Sequence, residues 1–469
     1  MTYSQYSKKG LLSFCLLISF FTLFAQQTSY FMDKTTQRLS LNPAFRPATG
    51  YVSVPGLGSL SANFHSNALT FDNVIYPAGP GEELVTFLHP DIPATGFLNQ
   101  LKPNNRINAD VTMNLLSVGF FARKSFWTID VNLRNGMDAN IPKGLLEAAK
   151  TGMTDPGGTL YNAGGLSLNG SSYLEAGIGY SYPVSDRVTL GARFKMLLGS
   201  ANVDGYFHDF SIEMTQDKWI VQAEGELNAS MKGASPELKK DETTGEDYIN
   251  GFDVDSPGFG GYGGAMDLGI SYKPNERLTF SASALDLGYI SWNKEATTTA
   301  VSSGEFLYDG FNLNFDDDDD VPSVGNQLDE MGDDFMRLFH FKESAKKKRT
   351  TKLRSTVNLA AEYAILQNRL SFGLLSSTRF NIPETFTELT ASVNYRPTGW
   401  FAATISYSML HSDFKTAGAA LNFSPGWINF FIASDYMLTK INPQYIPLSQ
   451  PSVNIQFGIS IPLAGNKEQ

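Results

Sequence analysis

Val453-Asn454-Ile455-Gln456-Phe457-Gly458-Ile459-Ser460-Ile461-Pro462-Leu463 alternates from end to end. Its odd positions are all apolar; its even positions are polar, small or proline. Strict period two over this length describes a strand with one face in an apolar phase and the other in a wetter one. It has the length of a tilted membrane-crossing strand, which takes roughly 9–11 residues. In a bilayer a strand at the chain end loses its free edge only by pairing with the first strand, so the stretch predicts a closed transmembrane β-barrel.

Working back along the chain, the same grammar repeats: an alternating strand, a Tyr, a short turn with Pro or Asn, then Arg and a new strand. Tyr182-Pro183-Val184-Ser185-Asp186-Arg187 and Tyr272-Lys273-Pro274-Asn275-Glu276-Arg277 show it most clearly. Tyr363 to Arg369 and Tyr395-Arg396-Pro397-Thr398-Gly399-Trp400 are looser versions. Pro, Asn and Gly supply the turn geometry. Tyr at a strand end suits a membrane interface, ring in lipid and hydroxyl in water.

The two faces of these strands differ in charge. One runs through Ile178, Tyr180, Leu190, Phe194, Met196, Leu268, Ile270, Leu359, Val393, Ile405 and Tyr407 without one charged residue. The other carries Glu175, Arg193, Lys195, Asp267, Arg354, Glu362 and Arg396. Lys or Arg on a lipid face costs roughly 2–4 kcal/mol at mid-bilayer, whereas a lumen face tolerates it. Arg193, Lys195, Asp267, Arg354, Glu362 and Arg396 are therefore expected in the lumen, lining water or paired inside.

Fourteen strands are expected, near 51–64, 110–122, 125–135, 172–182, 187–201, 262–273, 277–291, 352–364, 368–380, 386–396, 400–410, 415–424, 427–438 and 452–463. The segment 204–231 also alternates and reads as a projecting hairpin; inside the wall it would make sixteen. Short connections (123–124, 183–186, 274–276, 365–367, 397–399 and 425–426) all fall at one end, expected to be periplasmic. The longer connections 65–109, 136–171, 202–261, 292–351 and 439–451 fall at the other, expected to be extracellular; 381–385 and 411–414 are modest there.

Residues 1–25 read as a signal peptide. Lys8 and Lys9 precede an apolar run from Gly10 to Phe24, and Ala25 closes it. The single cysteine, Cys15, lies in this segment, so the chain beyond it offers neither disulfide nor thiolate site. Residues 26–50 then form an N-terminal hatch, 51–463 the barrel and 464–469 a periplasmic tail. No later apolar run is long enough for a transmembrane helix. A net charge of −11 argues against nucleic acid as a partner.

Within 292–351, Asp316 to Asp320 lack the spacing of a calcium loop and read as a solvated tract. Leu328, Met331, Phe335, Leu338 and Phe339 have helical spacing, either a lid or a helix packed on neighbouring loops. The run from Lys346 to Arg349 reads as a solvated turn or a contact with lipid phosphate. The five histidines are scattered, no nucleophile motif occurs, and no cofactor, metal or catalytic site is expected.

Asn42-Pro43-Ala44, the Tyr-Pro turns with their Arg, Ser283-Ala284-Leu285-Asp286-Leu287-Gly288-Tyr289-Ile290-Ser291-Trp292 and Ile459-Ser460-Ile461-Pro462-Leu463 resemble an outer-membrane barrel family of Bacteroidota. The resemblance covers nearly the whole chain after residue 25. That family is similar to FadL-like transporters of hydrophobic compounds and to the secretion-system barrel PorV. The resemblance implies an outer-membrane location, with Asn42, Pro43 and Ala44 in a hatch that plugs the barrel. It implies either a channel for small hydrophobic solutes or a non-transporting barrel that anchors or assists a surface or secretion complex. The partners implied are outer-membrane lipid, a small hydrophobic ligand, or a surface or secretion protein.

Overall fold

The computed structural model describes residues 27–77, 84–241, 245–309, 337–380, 385–410, 414–435 and 452–463. The signal-peptide segment 1–25, the run Asp316 to Asp320 and the tail 464–469 lie outside them. Among the described residues no helix is long and apolar enough to cross a membrane.

Strands dominate: β1 (Tyr51–Ser53), β2 (Leu60–Ser66), β3 (Asn104–Ala122), β4 (Ser125–Pro142), β5 (Thr159–Asn162), β6 (Ser167–Pro183) and β7 (Val188–Met214). They continue with β8 (Trp219–Lys240), β9 (Asp247–Gly258), β10 (Gly261–Tyr272), β11 (Leu278–Trp292), β12 (Thr297–Tyr308), β13 (Lys342–Ala345) and β14 (Arg349–Lys352). The last are β15 (Ser355–Ile365), β16 (Leu370–Phe380), β17 (Thr385–Tyr395), β18 (Phe401–Leu410), β19 (Phe414–Phe423), β20 (Asn429–Ser434) and β21 (Ser452–Pro462).

Antiparallel pairing runs from β2 through β3, β4, β6, β7, β10 and β11 to β15, then through β16 to β21 in order. The ring closes where β21 pairs with both β1 and β2, through Tyr51↔Pro462 and Leu60↔Phe457. Counting β1 with β2 and β14 with β15 as one strand each, the wall has fourteen. The last strand thus meets the first, and among the described residues the wall has no free edge.

Alternation sorts the side chains as their polarity requires. On β21, Asn454, Gln456 and Ser460 are buried while Ile461 and Leu463 are exposed. On β18, Thr404, Ser406 and Ser408 are buried while Ile405 is 67% exposed. Around the ring Ile178, Phe194, Leu359, Phe372, Leu389 and Tyr407 form an outward apolar belt. Exposed Tyr182, Tyr272, Tyr363, Tyr395, Trp400 and Trp427 lie toward the short-turn end. A belt this continuous is far larger than the few hundred Å² a soluble monomer exposes.

The short turns share one end of the barrel and bond to one another: Lys273 N–H donates to Arg187 C=O, Ala364 to Arg277, and Arg396 to Arg369. The Asn275 carboxamide oxygen accepts the Arg277 and Leu278 N–H groups at 2.9 Å, which closes that turn.

Three differences from the expected layout have physical reasons. The first strand is broken at 54–59, where Pro55 lacks an N–H and Gly56 takes a φ of 74°. Several strands run on past the apolar belt: β3 starts at Asn104, β4 reaches Pro142 and β7 reaches Met214. Parts of the expected loops 65–109, 136–171, 202–261 and 292–351 are therefore sheet. The segment 204–231 is the upper part of β7 with β8, which pairs with β7 above the stretch that β10 occupies and then with β12. It stands beyond the wall, and the count stays at fourteen.

This outer sheet has its own apolar cluster of Phe207, Phe210, Ile212, Met214, Val221 and Phe306, covered by Ala148 of the helix Lys143–Thr151 and by Leu338. Of the helical pattern expected over Leu328–Phe339, the described part is the 3₁₀ turn Arg337–Phe339, with Leu338 fully buried. Met331 and Phe335 lie outside the described residues. Two members of the basic run are internally paired: Arg349 with Asp204 at 2.5 Å and Lys347 with Glu226 at 3.6 Å. The Asn228 amide is the first cause holding the Glu226 carboxyl below its ordinary range.

Candidate functional site: a lumen filled by the N-terminal segment and a buried ionic cluster

Residues 27–46 lie inside the ring. Their backbone is a chain of tight turns and one short helix, Arg38–Leu41, so many of their polar groups need partners from outside the segment. The wall supplies them from nearly every side. Asp435, just after β20, accepts Gln27 N–H at 3.0 Å and Thr28 N–H at 2.7 Å. Arg396 donates to Phe31 C=O at 2.6 Å, Asn429 to Lys34 C=O, and Arg193 to Leu39 C=O at 3.2 Å. Ser283 and Asn358 both donate to Leu41 C=O, at 2.7 and 3.2 Å. In the other direction Gln37 donates to Gly58 C=O at 2.6 Å, in the break of the first strand. Tyr30, Phe31, Leu39 and Phe45 pack with Tyr51, Phe126 and Leu375 of the wall.

Asn42 is fully buried and uses both ends of its amide. The oxygen accepts Ala44 N–H at 2.9 Å, which turns the chain at Pro43. The nitrogen donates to Ile270 C=O at 3.3 Å and Ala282 C=O at 3.1 Å, on neighbouring wall strands. The wall admits this turn because it is glycine there. A Cβ on Gly191 would stand 2.2 Å from the Pro43 carbonyl, and one on Gly269 2.1 Å from Asn42 Oδ1. Asn42, Pro43 and Ala44 thus form one compact element against the wall.

The six lumen charges named from the sequence all point inward and are all paired. Lys195 Nζ lies 2.8 Å from Asp267, 2.6 Å from Asp286 and 3.7 Å from Glu175. Arg193 contacts Asp130 at 3.4 Å and Asp267 at 3.7 Å. Arg134 joins the same cluster, at 2.9 Å from Glu175 and 3.0 Å from Asp286. Arg354 reaches Asp110 at 2.5 Å and also pairs with Asp138. Arg379 approaches Asp110 at 3.7 Å. Arg396 holds Glu362 at 2.7 Å and Asp33 of the N-terminal segment at 3.2 Å. Buried charge is tolerable only when paired, and this lumen meets that condition by mutual pairing.

The arrangement needs residues that alternation did not single out. Asp286 is the clearest. It sits in a bulge of β11 at a φ of 58°, and its N–H donates to Asp267 Oδ1 at 2.7 Å. The signal was an acid that interrupts the apolar phase in Leu285-Asp286-Leu287. Asp138, in the expected connection 136–171, lies on β4. Asp435, in the expected strand 427–438, lies just past β20 and anchors the N-terminal segment.

Beside the N-terminal segment the lumen keeps a cavity of about 270 Å³. Tyr30, Leu39 and Leu41 line part of it; Asp110, Arg134, Arg354 and Arg379 line the rest with amides and hydroxyls such as Asn114 and Thr112.

Fold and lumen together define a class: closed antiparallel barrels with an apolar outer belt and a filled, ionic interior. The chain belongs to a family of unknown function, DUF5723, whose model matches residues 43–435. No curated protein matches the sequence. Among solved structures it is similar to the toluene transporter TodX of Pseudomonas putida, at 9% identity, 95% of this chain, 96% of that one and a TM-score of 0.40. A Pseudomonas aeruginosa FadL homologue matches at 11% identity, 94% of each chain and a TM-score of 0.34. The translocator domain of the Neisseria meningitidis autotransporter NalP matches at 6% identity, 94% and 99% coverage and a TM-score of 0.32. The barrel assignment rests on the chain's own strand pairing.

Proposed function

We propose that the protein is an outer-membrane barrel that passes small solutes and is closed at rest by its own N-terminal segment. The observation that carries this reading is the seating of residues 27–46 inside the ring, held by hydrogen bonds to strands on opposite sides. The outward apolar belt and closed ring suit a bilayer, where open strand edges are not tolerated. The short-turn end is then periplasmic and the outer sheet extracellular. Export by residues 1–25, with cleavage after Ala25, goes with this placement; amino-terminal sequencing of the membrane-extracted protein tests it.

A plug, as opposed to a structural core, leaves the wall intact when it is removed. Wall pairing does not use residues 28–46, while the lumen loses most of its filling with them. The test is planar-bilayer conductance of the full chain and of a 28–46 deletion. Large conductance in the deletion alone supports the reading. Equal conductance in both overturns it, and failure of the deletion to assemble makes the segment a structural core.

The FadL-like resemblance adds a solute class, small hydrophobic compounds, which would need an apolar passage. The cavity beside the plug is bounded largely by charged, amide and hydroxyl side chains. A second reading, a scaffold for a surface or secretion partner, is favoured by the outer sheet, which rises beyond the wall and exposes Leu160, Val301 and Leu307. Copurification of a stoichiometric protein on mild extraction would support it.

A further inference from the structure

The cavity beside the N-terminal segment has chemistry of its own. Pockets for drug-sized ligands measure roughly 300–1,000 Å³. At about 270 Å³ this one suits a solute of amino-acid or dipeptide size. Its lining brings both signs of charge close together. Arg354 and Arg379, from the eighth and ninth strands of the wall, converge across the lumen on Asp110 of the second, at 2.5 and 3.7 Å. Asp138 stands beside Asp110 on the other guanidinium nitrogen of Arg354. Arg134 and Asp286 line the same space, 3.0 Å apart.

Three solute classes can be weighed against this lining. A hydrocarbon would displace water from guanidinium and carboxylate groups and return no hydrogen bond, which leaves polar groups desolvated at a cost of roughly 1–3 kcal/mol each. A solute with net charge would add an uncompensated charge to a cluster in which acids and bases already balance locally. A zwitterion carries one charge of each sign and is neutral as a whole. Its carboxylate can take the place of a wall carboxylate on Arg354 and Arg379, and its ammonium can replace a guanidinium at Asp110.

We infer that this lumen cavity is a binding site for small zwitterions of the amino-acid or dipeptide class, with Arg354 and Arg379 for the carboxylate and Asp110 for the ammonium. The inference rests on the reading of the barrel as a solute channel and names its solute class. It supplies a polar alternative to the hydrophobic solute.

Calorimetric titration of the detergent-solubilised full chain tests it, with alanyl-alanine, N-acetyl-alanyl-alanine amide and toluene as the probes. The dipeptide should bind, and the doubly blocked derivative, of similar shape and no charge, should bind at least roughly tenfold more weakly. Arg379→Gln should weaken the dipeptide by roughly fivefold or more, with unchanged heat-modifiable gel mobility as the check on folding. Absence of dipeptide binding, equal binding of the blocked derivative, preference for toluene, or indifference to Arg379→Gln would each overturn the assignment. All variants keep residues 28–46. Failure here therefore leaves the plug to be judged by conductance alone, and failure of the plug leaves this binding measurement standing.

Discussion

The Arg354 guanidinium donates to the Asp110 carboxylate at 2.5 Å across the lumen, from the eighth strand of the wall to the second. It also holds Asp138 on the third. One side chain thus cross-braces two sides of the ring, as the pair of Arg134 on the third strand and Asp286 on the seventh also does.

Arg354→Met should weaken the barrel by about 2–3 kcal/mol, since it leaves Asp138 with only the Asn108 amide and Asp110 with only the more distant Arg379. That is less than the roughly 3–5 kcal/mol of a fully buried pair because these side chains keep about a quarter of their exposure. The check is the urea concentration at which heat-modifiable mobility is lost. Adding Asp110→Asn and Asp138→Asn should restore part of the loss; no recovery would mean the brace is not electrostatic.

Asn42→Ala should loosen the N-terminal segment without opening the wall. It removes the donor to Ile270 and Ala282 and the acceptor for Ala44 N–H, with a cost of about 1–3 kcal/mol for carbonyls left buried. Asn42→Asp should do worse, because an oxygen would then face two carbonyl oxygens. Protease clipping within 27–50 in intact membranes measures both.

Gly269→Ala should drive the Asn42–Ala44 turn off the wall, because the new methyl would stand 2.1 Å from Asn42 Oδ1. Gly264→Ala is the control: its nearest neighbour is a backbone oxygen at 3.6 Å, an ordinary contact. Bilayer conductance should rise in the first variant and stay at the parental level in the second. Equal conductance in the two would show that the turn adapts.

Phe194→Arg should lower the folded yield in phospholipid vesicles, at a cost of about 2–4 kcal/mol if this side chain meets the mid-bilayer. Phe194 is 65% exposed on the outward belt of β7, between the inward Arg193 and Lys195. Unchanged folding of this variant would argue against a membrane for this part of the belt.

Asp286→Leu should cost more stability than Asp286→Asn. The position has a φ of 58°, which Asn adopts at least as readily as Asp and Leu adopts only at a cost. The Asn variant keeps the fold but leaves Arg134 and Lys195 with one carboxylate fewer. Its urea midpoint should therefore fall between those of the parent and the Leu variant.

Period two is a local property, and the wall followed from it. In 453–463 and in the strands around Tyr182-Pro183 and Tyr272-Lys273-Pro274, which face a residue takes depends only on its parity along the chain. Apolar–polar alternation therefore determined the strand count, the turn end and the inward direction of Arg193, Lys195, Asp267, Arg354, Glu362 and Arg396. Hydrophobic patterning reaches only as far as the apolar belt. Above it β4 runs on to Pro142 with little alternation to read, whereas the extension of β7 to Met214 alternates over an apolar cluster of its own outside the wall. The bulge that turns Asp286 inward breaks parity, and no local rule assigns its partner. Which base each acid meets depended on ring closure, because Arg354 and Asp110 lie 244 residues apart and are brought together by the curvature of the whole sheet. The same holds for the path of residues 27–46. Their sequence has turns and a few aromatics but no repeat, and only a lumen with glycine at 191 and 269 and acceptors and donors on every side selects one conformation for them.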